Sequence, residues 1–438
     1  MAAFLPQTAL ALNRLWTEGV SDFAATERDL LAALKHDGAR LLEERLNDVT
    51  LTCKNDQPLA DEEDYGRRTK EVLTCLGWIT LRRPYLYSAL RQAGRFPLDA
   101  ALGLVDSYSP GVARWMCRAG TLAGSYQGAS QDVLTYAGLD IDASQIQRMI
   151  AQMAPRLTQW REAQAPVFNP TAGDIFCVST DGTGAPMRRK ELRGRKGKRG
   201  GKARTREVKV GTVFTHRKPQ KPDERPERDY GSTTYIADMI SAKEFGTLLR
   251  AEALRRGIAK AKTVVFVGDG AAWVWTLARI NFPKAVCILD YYHACEHLML
   301  LANALYGEGS ALAKKRYRQW RKALLKDKVA QVIAQANQDR PLRGQNRQVA
   351  TKQIAYFVRN RARMLYQTFR QAGYFIGSGV VEAGCKTVVG QRLKQSGMLW
   401  SRNGARHLLA IRCALLSGWF EDFWKHHSRA SQTSAFAD

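Results

Sequence analysis

Two short apolar runs in the middle of the chain each lead into an aspartate followed by glycine. They are Asp174–Thr180 (DIFCVST) before Asp181-Gly182, and Thr263–Val267 (TVVFV) before Gly268-Asp269-Gly270. Runs of this length, rich in β-branched and aromatic residues and stopped by turn residues, predict strands. Val208–Thr215 (VKVGTVFT), Thr233–Ala237 (TTYIA) and Ala285–Leu289 (AVCIL) predict three more, while Ala242–Arg256 and Ala271–Ile280 read as helices.

The order is three strands, then helix, strand, helix, strand. That is the order of an RNase H-like α/β domain, with a mixed five-stranded sheet of three antiparallel and two parallel strands. Beyond it the α/β rhythm stops. From Tyr291 to about Phe375 there is no strand candidate, and helices return over Val380–Lys394 and Gly404–Trp424. The expected organisation is a mainly helical N-terminal DNA-binding region (1–165), a catalytic domain in two parts (166–293 and 376–438), and an all-helical insertion between them (294–375). Within the N-terminal region, Gly77–Leu86 is strand-like. The stretch 127–153 has the outline of a helix-turn-helix: helix Ser130–Ala137, a turn at Gly138, and a second helix capped by Asp142 with Gln145 three residues on. Its second helix would offer Ser144, Gln145, Gln147 and Arg148 to a major groove, although a plain helical hairpin gives the same pattern.

Charge narrows the function. Residues 188–228 hold 17 basic and 5 acidic side chains, and residues 310–370 hold 16 and 2. These two segments account for the whole formal charge of +26. Positive charge so concentrated implies a polyanionic partner, because each Lys or Arg on a phosphate releases condensed counterions. Double-stranded DNA is the partner expected. Candidate contacts are Arg188, Arg189, Lys190, Arg195, Lys196, Lys198, Arg199 and Lys202 in the first segment, and Arg318, Arg321, Lys322 and Arg359 in the second.

Carboxylates at the ends of neighbouring strands can converge on one point, as two-metal phosphoryl transfer requires. Mg²⁺, with Mn²⁺ as a substitute, prefers such oxygen ligands. Taken singly, Asp181 and Asp269 read equally as turn residues, since Asp-Gly after an apolar run is a turn signal. Glu382 in GSGVVEAGCK reads locally as half of a surface pair with Lys386. His293, Glu296 and His297 also match the H-x-x-E-H pattern of inverted zinc peptidases, a reading that leaves both aspartates and the basic segments without a purpose.

Asp269 followed by Asp290-Tyr291-Tyr292-His293 resembles the C/D-x-x-H signature of Mutator-like DDE transposases. The wider text resembles the bacterial insertion-sequence transposases of the ISKra group: VSTDGTGAP (178–186), GRKGK (194–198), REVKVGTV (206–213), GDGAAW (268–273), FPKAVCILDYYHACEH (282–297), and GSGVVEAGCK, RLKQSGMLWS and LLAIR within 377–412. The resemblance covers roughly residues 50 to 425. It implies metal ligands at Asp181, Asp269 and Glu382, an accessory motif at Asp290 and His293 near the scissile phosphate, and two Mg²⁺ ions. The implied chemistry is hydrolysis at the element ends followed by 3′-OH strand transfer, by a dimer or larger assembly on the terminal inverted repeats and target DNA. A silent, DNA-binding derivative is the alternative. Trp400 in GMLWSRNG is a candidate stacking platform for an unpaired base, or a core residue.

Relatives carry a CxxC before P-L-D-x-x-L-G-L, whereas this chain has Tyr87–Arg91 leading into Pro97-Leu98-Asp99. Helix packing is expected to replace zinc there. All eight cysteines stand singly, which signals neither a disulfide framework nor a zinc ribbon. Arg14 and Glu18 interrupt any signal-peptide core, and no apolar run reaches membrane-spanning length, so the expected location is the bacterial cytoplasm, at the nucleoid.

Overall fold

Alternation along the strands decides how the chain layers itself. The structure, a computed structural model, describes residues 5–20, 22–48, 57–164, 175–195, 197, 201, 203–219, 226–341 and 343–433. The chain divides into two compact units, residues 1–157 with 419–438, and residues 158–418.

The first unit is less helical than expected. Helices Pro6–Glu18 and Phe23–Leu46 precede three antiparallel strands, β1 (Glu63–Thr74), β2 (Gly77–Ser88) and β3 (Ala93–Arg95). β1 gave no strand signal because only Val72, Leu73 and Thr74 at its end are buried. Helix Phe23–Leu46 packs there, with Ala39 against Val72, Ile79 and Leu81. In the segment without a CxxC, carboxylates and arginines tie the sheet end together beside this helix packing. Glu62 pairs with Arg91 at 2.7 Å and Arg95 at 2.8 Å, and Asp61 with Arg91 at 2.7 Å. The Arg95 guanidinium holds the Glu62 carboxyl down to about 2.

Helices Tyr126–Ala137 and Ala143–Ala163 flank Gly138, whose φ of +63° suits glycine at a helix C-terminus. The first starts earlier than expected because Ser125 caps it. The capping box at Asp142 is present: its carboxylate accepts from the Gln145 N–H at 3.0 Å, and the Gln145 side chain accepts from the Asp142 N–H at 3.0 Å. Ser144 also donates its hydroxyl to Asp142 at 2.6 Å. Of the four residues offered to a groove, Ser144 and Gln145 are thus engaged in the cap, while Gln147 and Arg148 are exposed.

The second unit is a mixed α/β fold. Its strands are β4 (Ile175–Pro186), β5 (Thr205–Arg217), β6 (Glu227–Arg228), β7 (Thr234–Asp238), β8 (Thr263–Gly268) and β9 (Val286–Leu289). β5 pairs antiparallel with β4 on one side and with β7 and β6 on the other; β4, β8 and β9 run parallel. The sheet therefore has six strands rather than five, the addition being the two-residue β6 beside the end of β5. The antiparallel and parallel halves fall in an order compatible with an RNase H-like fold.

Phe176, Val178 and Phe266 face helices Ala242–Arg255 and Ala272–Asn281. The alternate residues Ile175, Cys177, Val265 and Val267 share a core with helices Tyr291–Tyr306, Ala311–Leu324, Val329–Gln338 and Gln345–Asn360. Each large apolar side chain buried between these layers stabilises the fold by about 1.5–3 kcal/mol. Between β9 and Glu382 the described residues contain only helices and loops. The boundary expected after residue 293 falls inside helix Tyr291–Tyr306, which packs directly on the sheet.

The helix expected over Val380–Lys394 is interrupted: Gly379–Gly384 is α, Cys385–Gly390 a π turn, and Gln391–Leu393 α again. The one expected over Gly404–Trp424 breaks at Gly418, φ +79°, into Arg402–Leu416 and Phe420–Thr433, and the second piece belongs to the first unit. Among the described residues, no helix is long and apolar enough to cross a membrane.

Candidate active site

Strand register brings the aspartates together. β4 and β8 are last paired at Ser179 and Val267, so two residues further Asp181 and Asp269 fall level. β8 and β9 pair Gly268 with Leu289, so Asp290 falls level with Asp269. Three acidic residues thus stand in one row across three neighbouring parallel strands. Asp269 and Asp290 lie just past the ends of β8 and β9. Asp181 lies inside β4: the strand expected to stop at Thr180 runs on through Asp181-Gly182, paired with β5 as far as Pro186.

Asp181 is half-buried. One oxygen accepts the Gly182 N–H at 2.6 Å and the other faces the Cys385 thiol at 3.5 Å. Burial pushes its carboxyl above the ordinary range, with the charges of Asp269 and Glu382 acting in the same direction, against the lowering from its hydrogen bonds with Gly182 and Cys385. The three carboxylates therefore share one electrostatic neighbourhood.

Asp269 lies just past β8, where its side chain accepts the Ala271 N–H at 2.9 Å. Gly270 follows with φ +93°, and a Cβ there would stand 2.6 Å from the Tyr356 hydroxyl and 2.9 Å from a Leu289 methyl. Both the backbone and the space require glycine.

Glu382 is exposed at the start of its helix and accepts the Ser378 hydroxyl at 2.8 Å rather than pairing with Lys386. Gly384 allows that helix to lie close on the sheet, since a Cβ there would be 3.0 Å from the Tyr235 ring and 3.4 Å from Thr212. The π turn that follows holds Cys385 against Asp181; such turns recur at functional sites.

Asp290 differs from its neighbours in the row. It is fully buried at 0% exposure, and both its oxygens accept backbone N–H groups, from His293 at 2.6 Å and from Ser378. It caps helix Tyr291–Tyr306 and ties it to the segment carrying Ser378 and Glu382. With its side chain closed off from solvent and both oxygens bonded to backbone, its place is that of a positioning residue.

His293 is half-buried with Nδ1 3.3 Å from the Glu296 carboxylate. His297, the other histidine of the H-x-x-E-H pattern, turns inward, with Nδ1 bonded to Gln353 at 2.6 Å and its ring stacked on Tyr356 at 3.8 Å. Among the described residues no three His, Cys, Asp or Glu side chains are grouped so as to hold a metal ion. With His297 bonded to Gln353 and stacked on Tyr356, the two histidines of the pattern serve different neighbours, and Asp181, Asp269 and Glu382 stand as an open group. Their all-oxygen donor set suits a hard divalent cation.

Arg188, Arg189, Lys190 and Arg195 are exposed after β4, with the Arg188 N–H bonded to the Trp400 carbonyl at 2.9 Å. Lys196, Lys198, Arg199 and Lys202 lie outside the described residues. Arg318, Arg321, Lys322 and Arg359 are exposed, although Arg321 also bonds the Tyr291 hydroxyl at 3.0 Å.

Trp400 is core: it is 8% exposed and its indole N–H donates to the Leu393 carbonyl at 3.0 Å. The exposed ring near the site is Tyr292, at 65%, beside His293 and against Gly377. Tyr292, Tyr356, Ser378 and Cys385 were not singled out from sequence. Only Tyr292 left a signal, as the second of two adjacent tyrosines on a helix, which cannot both face the core.

No protein-family model matches the chain, and no curated protein matches it. Among solved structures, the Drosophila P element transposase strand transfer complex is similar over 73% of this chain and 80% of that one, with 10% identity and a TM-score of 0.25. A likeness of that size carries no argument about function.

Proposed function

We propose that the chain is a DNA transposase resembling the ISKra group of insertion sequences, which hydrolyses phosphodiester bonds at element ends and joins the freed 3′-OH to target DNA. The carrying observation is the level placement of Asp181 and Asp269 on adjacent parallel strands, with the Glu382 helix held against Asp181 through Cys385. Carboxylates crowded and partly buried at one point disfavour each other, and a site that keeps them is explained by cations between them and the phosphate.

Asp181, Asp269 and Glu382 would hold two Mg²⁺ or Mn²⁺ ions, which when bound activate the attacking oxygen and stabilise the leaving one. The remaining work belongs to the chain. Asp290 and Ser378 orient Glu382 through the Ser378 hydroxyl. His293, held near Glu296, offers an imidazole for charge stabilisation or proton transfer at the phosphate. The exposed basic side chains of the 310–370 helices and those after β4 track the DNA backbone. Terminal repeats, target DNA and a second copy of the chain are the proposed partners.

A second reading, a catalytically silent DNA-binding derivative, is favoured by the unclosed carboxylate group. A gel-shift series beside a nicking assay separates the two. The transposase reading expects Asp269→Asn to bind the element ends like wild type and to lose all divalent-ion-dependent nicking. A wild-type protein that binds and never nicks supports the silent derivative instead.

A further inference from the structure

Asp269 stands beyond the last paired residue of its strand, so its carbonyl has no ladder partner from β9 and must find one elsewhere. The partner is the Tyr356 hydroxyl, which donates to it at 3.2 Å. Tyr356 comes from helix Gln345–Asn360, 87 residues away, in the second of the chain's two basic segments. We propose that Tyr356 is a positioning residue for Asp269, and that helix Gln345–Asn360 thereby sets the placement of that carboxylate from the segment that contacts DNA. The proposal rests on the reading above for what Asp269 does; the contact itself does not.

Three features make Tyr356 a rigid support. Its ring is 8% exposed and lies on His297 with the planes 18° apart. His297 is in turn held by Gln353, one helical turn before Tyr356, at 2.6 Å. Gln353, His297 and Tyr356 therefore bolt helix Gln345–Asn360 to helix Tyr291–Tyr306 and to the Asp269–Gly270 turn at once. Gly270 is pressed beneath the hydroxyl, so the turn and the tyrosine leave each other little freedom.

The same helix exposes Arg347, Lys352 and Arg359. DNA bound there bears on the helix that fixes Asp269. His297, which a zinc-peptidase pattern would enlist as chemistry, acts here with Gln353 as a support. A displacement of about 1 Å in a catalytic group costs on the order of a hundredfold in rate, which is the scale of effect this support controls.

Tyr356→Phe removes one oxygen and keeps the ring and its stacking on His297. Hydrogen exchange of the peptide spanning Asp269–Ala271 is compared in the full chain, with Gln353→Leu as a second variant that releases His297 and keeps the hydroxyl. The expected result is exchange at Gly270 and Ala271 about tenfold faster in Tyr356→Phe and faster, by less, in Gln353→Leu, with β8 unchanged. Unchanged exchange in both variants overturns the proposal, whatever the cleavage results. In the cleavage assay, Tyr356→Phe should bind DNA with wild-type affinity and nick it about ten- to a hundredfold more slowly. Wild-type nicking rates in that variant also overturn the proposal. A wild-type chain that never nicks overturns the transposase reading instead, and the exchange result still decides whether Tyr356 holds the turn.

Discussion

Asp181 and Asp269 stand level with each other two residues past the last pairing of β4 with β8, each with one oxygen held by the backbone N–H of a following residue. Parallel strands of one sheet place equivalent residues on the same face, so a register fixed by Cys177, Val265 and Val267 in the core also fixes the spacing of the two carboxylates.

That arrangement costs stability. Asp181 is raised by burial and then by its acidic neighbours, so its ionised form is disfavoured in the folded state. A carboxyl raised on folding weakens the fold once pH climbs above its ordinary value of 3.8, and the full cost applies at neutral pH. Asp181→Asn should therefore raise the melting temperature by about 1–3 °C at neutral pH without divalent ions, while abolishing nicking. Thermal melts in chelator test this; a lower melting temperature would show that the aspartate is structural.

Glu62 has the opposite sign. With its carboxyl drawn from 4.5 to about 2 by Arg95, its contribution is present above pH 4.5 and is lost as pH falls toward 2. Urea melts between pH 5 and pH 2.5 should show the first unit weakening over that window, and the dependence should shrink in Glu62→Gln.

The two rings near the site should separate cleanly. Trp400→Ala opens the core and is expected to cost about 3–5 kcal/mol. Tyr292→Ala, at an exposed position, should change stability by less than about 0.5 kcal/mol. Any loss of nicking or strand transfer in Tyr292→Ala then reports on DNA contact. Equal melting curves for the two variants would contradict the assignment of Trp400 to the core.

The exposed cations of the 310–370 segment act as phosphate contacts in this account. Lys322→Ala and Arg359→Ala should each weaken DNA binding regardless of sequence and lower the slope of log affinity against log salt by about 0.9. Filter binding from 50 to 300 mM salt measures this, and an unchanged slope would place the DNA elsewhere.

Much of the fold was legible in the sequence. The runs at 175–180, 263–267 and 285–289 are apolar on both faces, since helices cover the sheet on each side. β1 was not legible, because a strand with charged residues along most of its length lacks alternation. The break of the last helix at Gly418 was hidden for a different reason: apolar spacing continues across a glycine whose positive φ only the chain's path reveals. Of the site, Asp269 was legible as a strand end; Asp181 was read the same way but lies inside β4, whose pairing with β5 carries on past Asp181-Gly182. The buried role of Asp290 and the supports Tyr356 and Ser378 were not, because they come from hydrogen bonds spanning 87 and 88 residues that no local pattern announces.

The most direct measurement is end-labelled cleavage of DNA flanking the source gene with Mg²⁺ or Mn²⁺, comparing wild type with Asp181→Asn, Asp269→Asn and Glu382→Gln. The account predicts nicks at fixed positions for wild type, lost in all three variants at unchanged DNA affinity. Nicking that survives in any of the three, or a wild type that binds these ends without cutting them, would contradict it.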